Sequence, residues 1–345
     1  MDTGAPLAHS HAMTSLPSAS AASVARADAG RRTAVLRRLA LLCAVLVLAI
    51  TSLSAFIRLN RAGLSCDDAP DCYGQSLRQL QQGLPAIAGE NAATAAARLV
   101  HRLVASAALL LVITMVAVCI AARPVLWREG SVALTLLALA LCLAVLGRWS
   151  GDARVPAVAM GNLLGGFAML ALCWRLARRA GAPAARGLRA WAGFGVALLA
   201  CQVALGGLVS ASFAATSCTN LADCLTASVP LPWSALDPWR EPLLSATPPI
   251  NASGALAQAA HRLSAIAAML VLLPLGMAAW RSGRRRPAAL LLALLATQAT
   301  LGLLMSGSAP PPLGLALAHN IVAALLLATA FDLARANRGS STPAQ

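Results

Sequence analysis

Three histidines, His101, His261 and His319, fall in or beside stretches of the chain that are nearly free of other ionisable side chains. An imidazole in an apolar surrounding is costly unless it faces a partner, so each is a candidate for function. His101 and His261 are expected near the outward ends of their helices. His319 is expected about one turn inside its own, so that it and His261 meet at one depth on neighbouring helices. Two facing neutral imidazoles suit bis-His ligation of a haem iron in a dry slot. Arg262, next to His261, is placed to pair with haem propionates. A single membrane histidine often only packs through a hydrogen bond, but two at matching depth within a repeat favour ligation. Zinc is disfavoured because no carboxylate or third histidine accompanies the pair. Two C-x5-C pairs, Cys66/Cys72 and Cys218/Cys224, lie in outward loops where disulfides persist. A structural bridge is the simple reading; electron exchange at Cys66 and Cys72 would need a labile bond and stays open. Cys43, Cys119, Cys142, Cys173 and Cys201 lie within apolar spans and read as small apolar residues.

The elements that must hold these residues are membrane helices. Of 345 residues, 59% are hydrophobic and 11% charged, with a mean hydropathy of +0.72, outside the range of soluble domains. Eight windows are long and apolar enough to cross a bilayer, at about 39–57, 99–120, 130–147, 155–174, 190–210, 258–280, 288–306 and 314–334. The expected fold is an all-α integral membrane protein, with eight transmembrane helices arranged as two pseudo-symmetric four-helix bundles.

The net charge of +15 comes from 27 arginines and no lysine, and 18 of these fall in the N-terminal tail, alternate loops and the C-terminal tail. This is the positive-inside pattern, which puts both termini in the cytoplasm. It also excludes nucleic acid as a partner, since no basic stripe interleaved with aromatics occurs on a soluble segment. The solvent partner is the lipid bilayer. The first 36 residues are rich in Ala and Ser and read as a disordered cytoplasmic tail, with Met13 as another candidate start. A signal peptide over Arg31–Ala55 is the alternative, but its apolar run exceeds a normal h-region. The Arg-only, Ala-rich composition favours a bacterial inner membrane.

The spans form a repeat. Each C-x5-C loop precedes a helix carrying His-Arg-Leu, at 101–103 and 261–263, and the fourth and eighth spans end in Trp-Arg-Leu-Ala-Arg (174–178) and Phe-Asp-Leu-Ala-Arg (331–335). The offset of 157 between these ends sets His319 opposite Asn162. Gln202-x3-Gly206 and Gln298-x3-Gly302 repeat as well, and their small residues read as helix-packing positions. A haem-free transporter is a competing class. The halves repeat in parallel, however, and no broken helix or intramembrane carboxylate marks a substrate site.

Over roughly 40–335 the chain resembles the heme A synthases, most specifically at Arg58-Leu59-Asn60-Arg61-Ala62-Gly63-Leu64-Ser65-Cys66 and Asp68-Ala69-Pro70-Asp71-Cys72-Tyr73-Gly74. The His-Arg-Leu openings, Gln202-x3-Gly206 and His319 agree. The resemblance implies oxidation of a porphyrin methyl of heme O to the formyl group of heme A, for cytochrome oxidase. It also implies haem b held by His261 and His319 in the C-terminal half, 181–335, with Arg262 and Arg102 as further haem-binding residues. The N-terminal half, 37–180, would bind heme O on His101, the catalytic position, beside Cys66 and Cys72. Residues 1–36 and 336–345 would be cytoplasmic tails. Heme O synthase and oxidase assembly factors are the implied partners, with a homo-oligomer left open. Three positions depart from the family pattern: Asn162 replaces a histidine, Arg98 replaces a glutamate three residues before His101, and Leu143 replaces a glutamine. Glu90 is the nearest acidic residue upstream. These departures favour a second reading, a non-catalytic haem b protein in electron transfer or oxidase assembly.

Overall fold

The computed structural model describes residues 19–64, 72–84, 92–149, 154–178 and 185–334, apart from the side chains of 19–22 and 25. Cys66, Glu90, His9, His11 and Met13 lie outside the described residues. Ten α-helices occur within this range: α1 (Ala19–Arg61), α2 (Gln75–Gln81), α3 (Ala92–Ile120), α4 (Trp127–Trp149), α5 (Pro156–Ala177), α6 (Arg186–Ala211), α7 (Leu221–Ser228), α8 (Ala255–Arg281), α9 (Arg285–Ser306) and α10 (Leu313–Ala334). Eight are long and apolar enough to span a membrane; α2 and α7 are short helices in the cysteine-bearing loops. The protein is an all-helical, multi-pass membrane protein. We call its two faces the cysteine side and the arginine side.

The segment expected as a disordered tail is helical from Ala19 onward. Asp28 pairs with Arg31 at 3.0 Å and with Arg32 at 3.1 Å, and the Arg32 guanidinium donates to the carbonyls of Ala122 and Pro124 at 3.1 and 2.7 Å. A cation at the C-terminal end of α3 satisfies orphan carbonyls there, and this tertiary anchor overrides a composition that alone suggested disorder. Helix α3 likewise begins at Ala92, earlier than the apolar window, so His101 lies nine residues inside it rather than at its end.

Around the molecule, α1 packs on α3 and α5, and α4 on α3 and α5; α6 packs on α8 and α10, and α9 on α8 and α10. The two groups have the same order of neighbours. They meet where α10 touches α5 and α1 and where α5 touches α6. At the arginine side this seam is tied by Arg178 to Asp332 at 3.4 Å.

Burial is uneven with depth. The continuous apolar core, including Leu36, Met115, Leu136, Phe167, Leu272, Leu291 and Leu333, belongs to the arginine-side portion of the helices. Nearer the cysteine side the bundles are loosely filled. No residue is buried in 98–107 of α3, 137–149 of α4, 157–165 of α5, 260–267 of α8, 296–306 of α9 or 313–323 of α10. Protein interiors close-pack where side chains alone fill them, so these six helices pack less tightly at this level, while α1 and α6 stay buried there at Ala55, Leu59, Val203 and Leu208. All three candidate histidines lie in that level.

Candidate functional site

In α8 and α10 the two histidines occupy equal depths. His261 lies six residues beyond Ala255 and His319 six beyond Leu313, about 9 Å along each axis. The helices are not neighbours, as the sequence suggested; they stand diagonally across the second bundle, each flanked by α6 and α9. A diagonal pair points both imidazoles at the bundle centre, and they lie within electrostatic reach of one another.

Each imidazole lies against a glycine one helix away. A Cβ on Gly206 of α6 would stand 2.9 Å from His261 Cε1, and one on Gly302 of α9 would stand 3.6 Å from His319 Cε1. The two Gln-x3-Gly repeats, read from sequence as packing positions, are imidazole cradles. Their glutamines serve the same end. Gln298 Nε2 lies 3.0 Å from His319 Nε2, while Ser264 Oγ, one turn from His261, donates to Gln202 Oε1. Among the described residues, the Nδ1 atoms of His261 and His319 and Gln298 Oε1 are buried without a hydrogen-bond partner. An orphaned buried polar atom costs about 1–3 kcal/mol, so three at one centre indicate a site built for a further group.

The cradles give a graded prediction. Gly206→Ala puts a methyl inside contact distance of His261, so the ring must move. Gly302→Ala meets His319 at an ordinary van der Waals distance. The first substitution is expected to destabilise by about 1–3 kcal/mol and disturb any ligand spectrum, the second to do little; thermal melting with absorption spectra of both variants separates them.

In the first group His101 and Asn162 lie on α3 and α5, which are again not neighbours. Asn162 is six residues beyond Pro156, the depth that His319 has in α10. Leu143, at the position of Gln298, instead fills the groove of Gly165, where a Cβ would stand 2.5 Å from its Cδ2. A Cβ on Gly147, the counterpart of Gly302, would meet nothing within 4 Å. The first group therefore keeps one imidazole and has Asn162 where the second has another. Arg98 is partly buried on α3, and Arg102 is exposed beside His101.

Over the cysteine side of α8, Cys218 and Cys224 are bonded and hold α7 against that helix. Arg262 Nη1 donates to the Thr219 carbonyl at 3.2 Å, which ties this expected propionate partner to the disulfide loop through one of its five donors. Asp223 beside it accepts from Thr219 N and Oγ at 2.7 and 3.0 Å; these bonds, with the Arg262 charge, hold its carboxyl below the usual range. Cys72 is disulfide-bonded.

The fold and site define a polytopic helical membrane protein in which two imidazoles, each against a glycine, lie at equal depth in one bundle. The chain belongs to the COX15-CtaA family, described as cytochrome oxidase assembly protein, whose match covers residues 37–331. It is similar to a heme A synthase of Shewanella oneidensis, with 30% identity over 312 residues, 83% of this chain and 91% of that protein.

Proposed function

We propose that this protein is a haem-dependent membrane oxidoreductase of heme A biosynthesis, which converts heme O to heme A by oxidising a porphyrin methyl to a formyl group. The observation that carries the reading is the loosely filled level in which His261 and His319 converge across the second bundle. Family membership and the relative's name supply the reaction.

The residues of the second bundle fit a haem b. Two neutral imidazoles at equal depth, glycine cradles behind them, orphaned Nδ1 atoms and apolar walls are what a six-coordinate haem needs. When bound, the haem supplies one-electron chemistry. His261 and His319 hold it, while Gln298 and the Gln202–Ser264 pair fix the flanking helices so that the rings stay aimed at the centre. The first bundle fits a substrate tetrapyrrole on His101, with Asn162 in place of a second imidazole. The N-terminal half, 37–180, is thus the substrate half and the C-terminal half, 181–335, the haem b half.

The Arg-rich loops support a bacterial inner membrane with both termini cytoplasmic. The reading also implies exchange of substrate and product with heme O synthase and oxidase assembly factors. The absence of a carboxylate at position 98 and of an imidazole at 162 favours the second reading, a haem b protein without the synthase reaction. Acid extraction and chromatography of haems, from membranes holding this chain and a heme O source, decides between them. Heme A is the expected product. Haem b with heme O unconverted, where a known synthase works, would leave only the second reading.

A further inference from the structure

We propose that Arg58, at the cysteine-side junction of the two bundles, binds a carboxylate of a tetrapyrrole held beneath it. This rests on the haem reading above and extends it to a residue outside the axial sites.

Arg58 lies three residues from the end of α1, and its partner Ser210 is four residues, about 6 Å along α6, toward the cysteine side from Gly206, the glycine against His261. Its Nη1 donates to Ser210 Oγ of α6 at 2.6 Å, which joins one bundle to the other. Among the described residues no carboxylate pairs with it. The side chain is partly buried at this contact. A guanidinium has five donors in a planar fork suited to a carboxylate, and one hydroxyl leaves most of them free for an anion.

The cover over this cation is firmly built. Tyr73, 1% exposed, packs edge-to-face on Phe213 at 5.5 Å, and Ala62 and Ile250 close the cluster. Gly63 is at φ 92°, and a Cβ there would stand 2.4 Å from the Cys72 carbonyl oxygen, so the chain must fold back tightly over α1. Burial pushes the Tyr73 phenol up, opposed by a hydrogen bond with the Ala215 backbone and by the Arg58 charge; the phenol stays neutral and leaves that charge uncompensated. A tetrapyrrole carries its carboxylates on one edge. With that edge toward the cysteine side, an anion meets the Arg58 guanidinium, for which the described residues supply no counter-ion.

The test uses the full chain, purified in detergent from haem-deficient cells and titrated with haemin and with haemin dimethyl ester, whose carboxylates are masked. The wild type is expected to bind the free acid about tenfold or more tighter than the ester. Arg58→Gln is expected to lose that preference while binding the ester as the wild type does, and Arg58→Lys to keep part of it. Equal weakening of both ligands in Arg58→Gln, or an unchanged preference, overturns the assignment. A wild type that binds neither ligand overturns the haem reading itself. Unaltered helical content and an unaltered His261/His319 spectrum at saturation exclude misfolding of the variant.

Discussion

His319→Ala is expected to abolish the low-spin bis-His spectrum of the purified protein while leaving the helical bundle assembled. The side chain belongs to the level of α10 in which no residue is buried, so truncation opens little of the packed core. The apolar contacts that hold α10 in place, from Ala324 to Leu333, lie on the arginine side and are untouched. The imidazole also brings a cost, since its Nδ1 is buried without a partner, and deletion removes it. The loss therefore falls on ligand binding. Losing an outer-shell partner of a metal ligand typically costs about 10–100-fold in affinity, which sets a floor for losing the ligand itself. Gln298→Leu, which removes only the amide 3.0 Å from Nε2, should fall within that range. Reduced-minus-oxidised spectra and haem content per protein give both results. A His319→Ala protein with full haem content and an unchanged low-spin spectrum would dismiss the pair His261/His319 as the ligands.

The eight spans could be read from the sequence because apolar windows of membrane length leave little choice of structure. Their ends could not. Helices α1 and α3 continue beyond the apolar windows, held by contacts such as Arg32 on the Ala122 and Pro124 carbonyls, which no hydropathy pattern encodes. The histidines were found by their scarcity, but their diagonal placement was missed because periodicity fixes faces of helices and not the order of helices around a bundle. The Gln-x3-Gly repeat was visible, and its small residues were correctly expected at close approaches. What packs there is an imidazole, which the repeat does not name. Arg58 stood in the most distinctive stretch of the chain, yet its partner Ser210 is 152 residues away and becomes visible only in the fold. The loosely filled level was least legible of all, because the Ala, Gly and Leu that line it have the composition of any packed membrane helix.

Asn162→His is expected to convert the first bundle into a copy of the second at its ligand positions. In α10, His319 fits against Gly302 at 3.6 Å; in α4, Gly147 has no atom within 4 Å of where its Cβ would be. Asn162 lies in the stretch 157–165 of α5 that holds no buried residue, so a ring has room at its own position and the overpacking cost should stay at the low end of about 1–3 kcal/mol. Leu143 holds the groove of Gly165, one turn further toward the arginine side, and does not occupy that room. With an imidazole on each of α3 and α5, the haem that the proposed function puts on His101 should pass from five-coordinate, high-spin to six-coordinate, low-spin. Carbon monoxide binding should fall with it, because the exchangeable position is filled. Heme A yield should fall in parallel if the wild type makes heme A, since the free face before Asn162 is then the one the reaction needs. The spin change is readable without turnover, by absorption and electron paramagnetic resonance of the purified variant. An Asn162→His protein that keeps the wild-type spin state and carbon monoxide binding would show that Asn162 does not face His101, and the substrate half would have to be sought elsewhere.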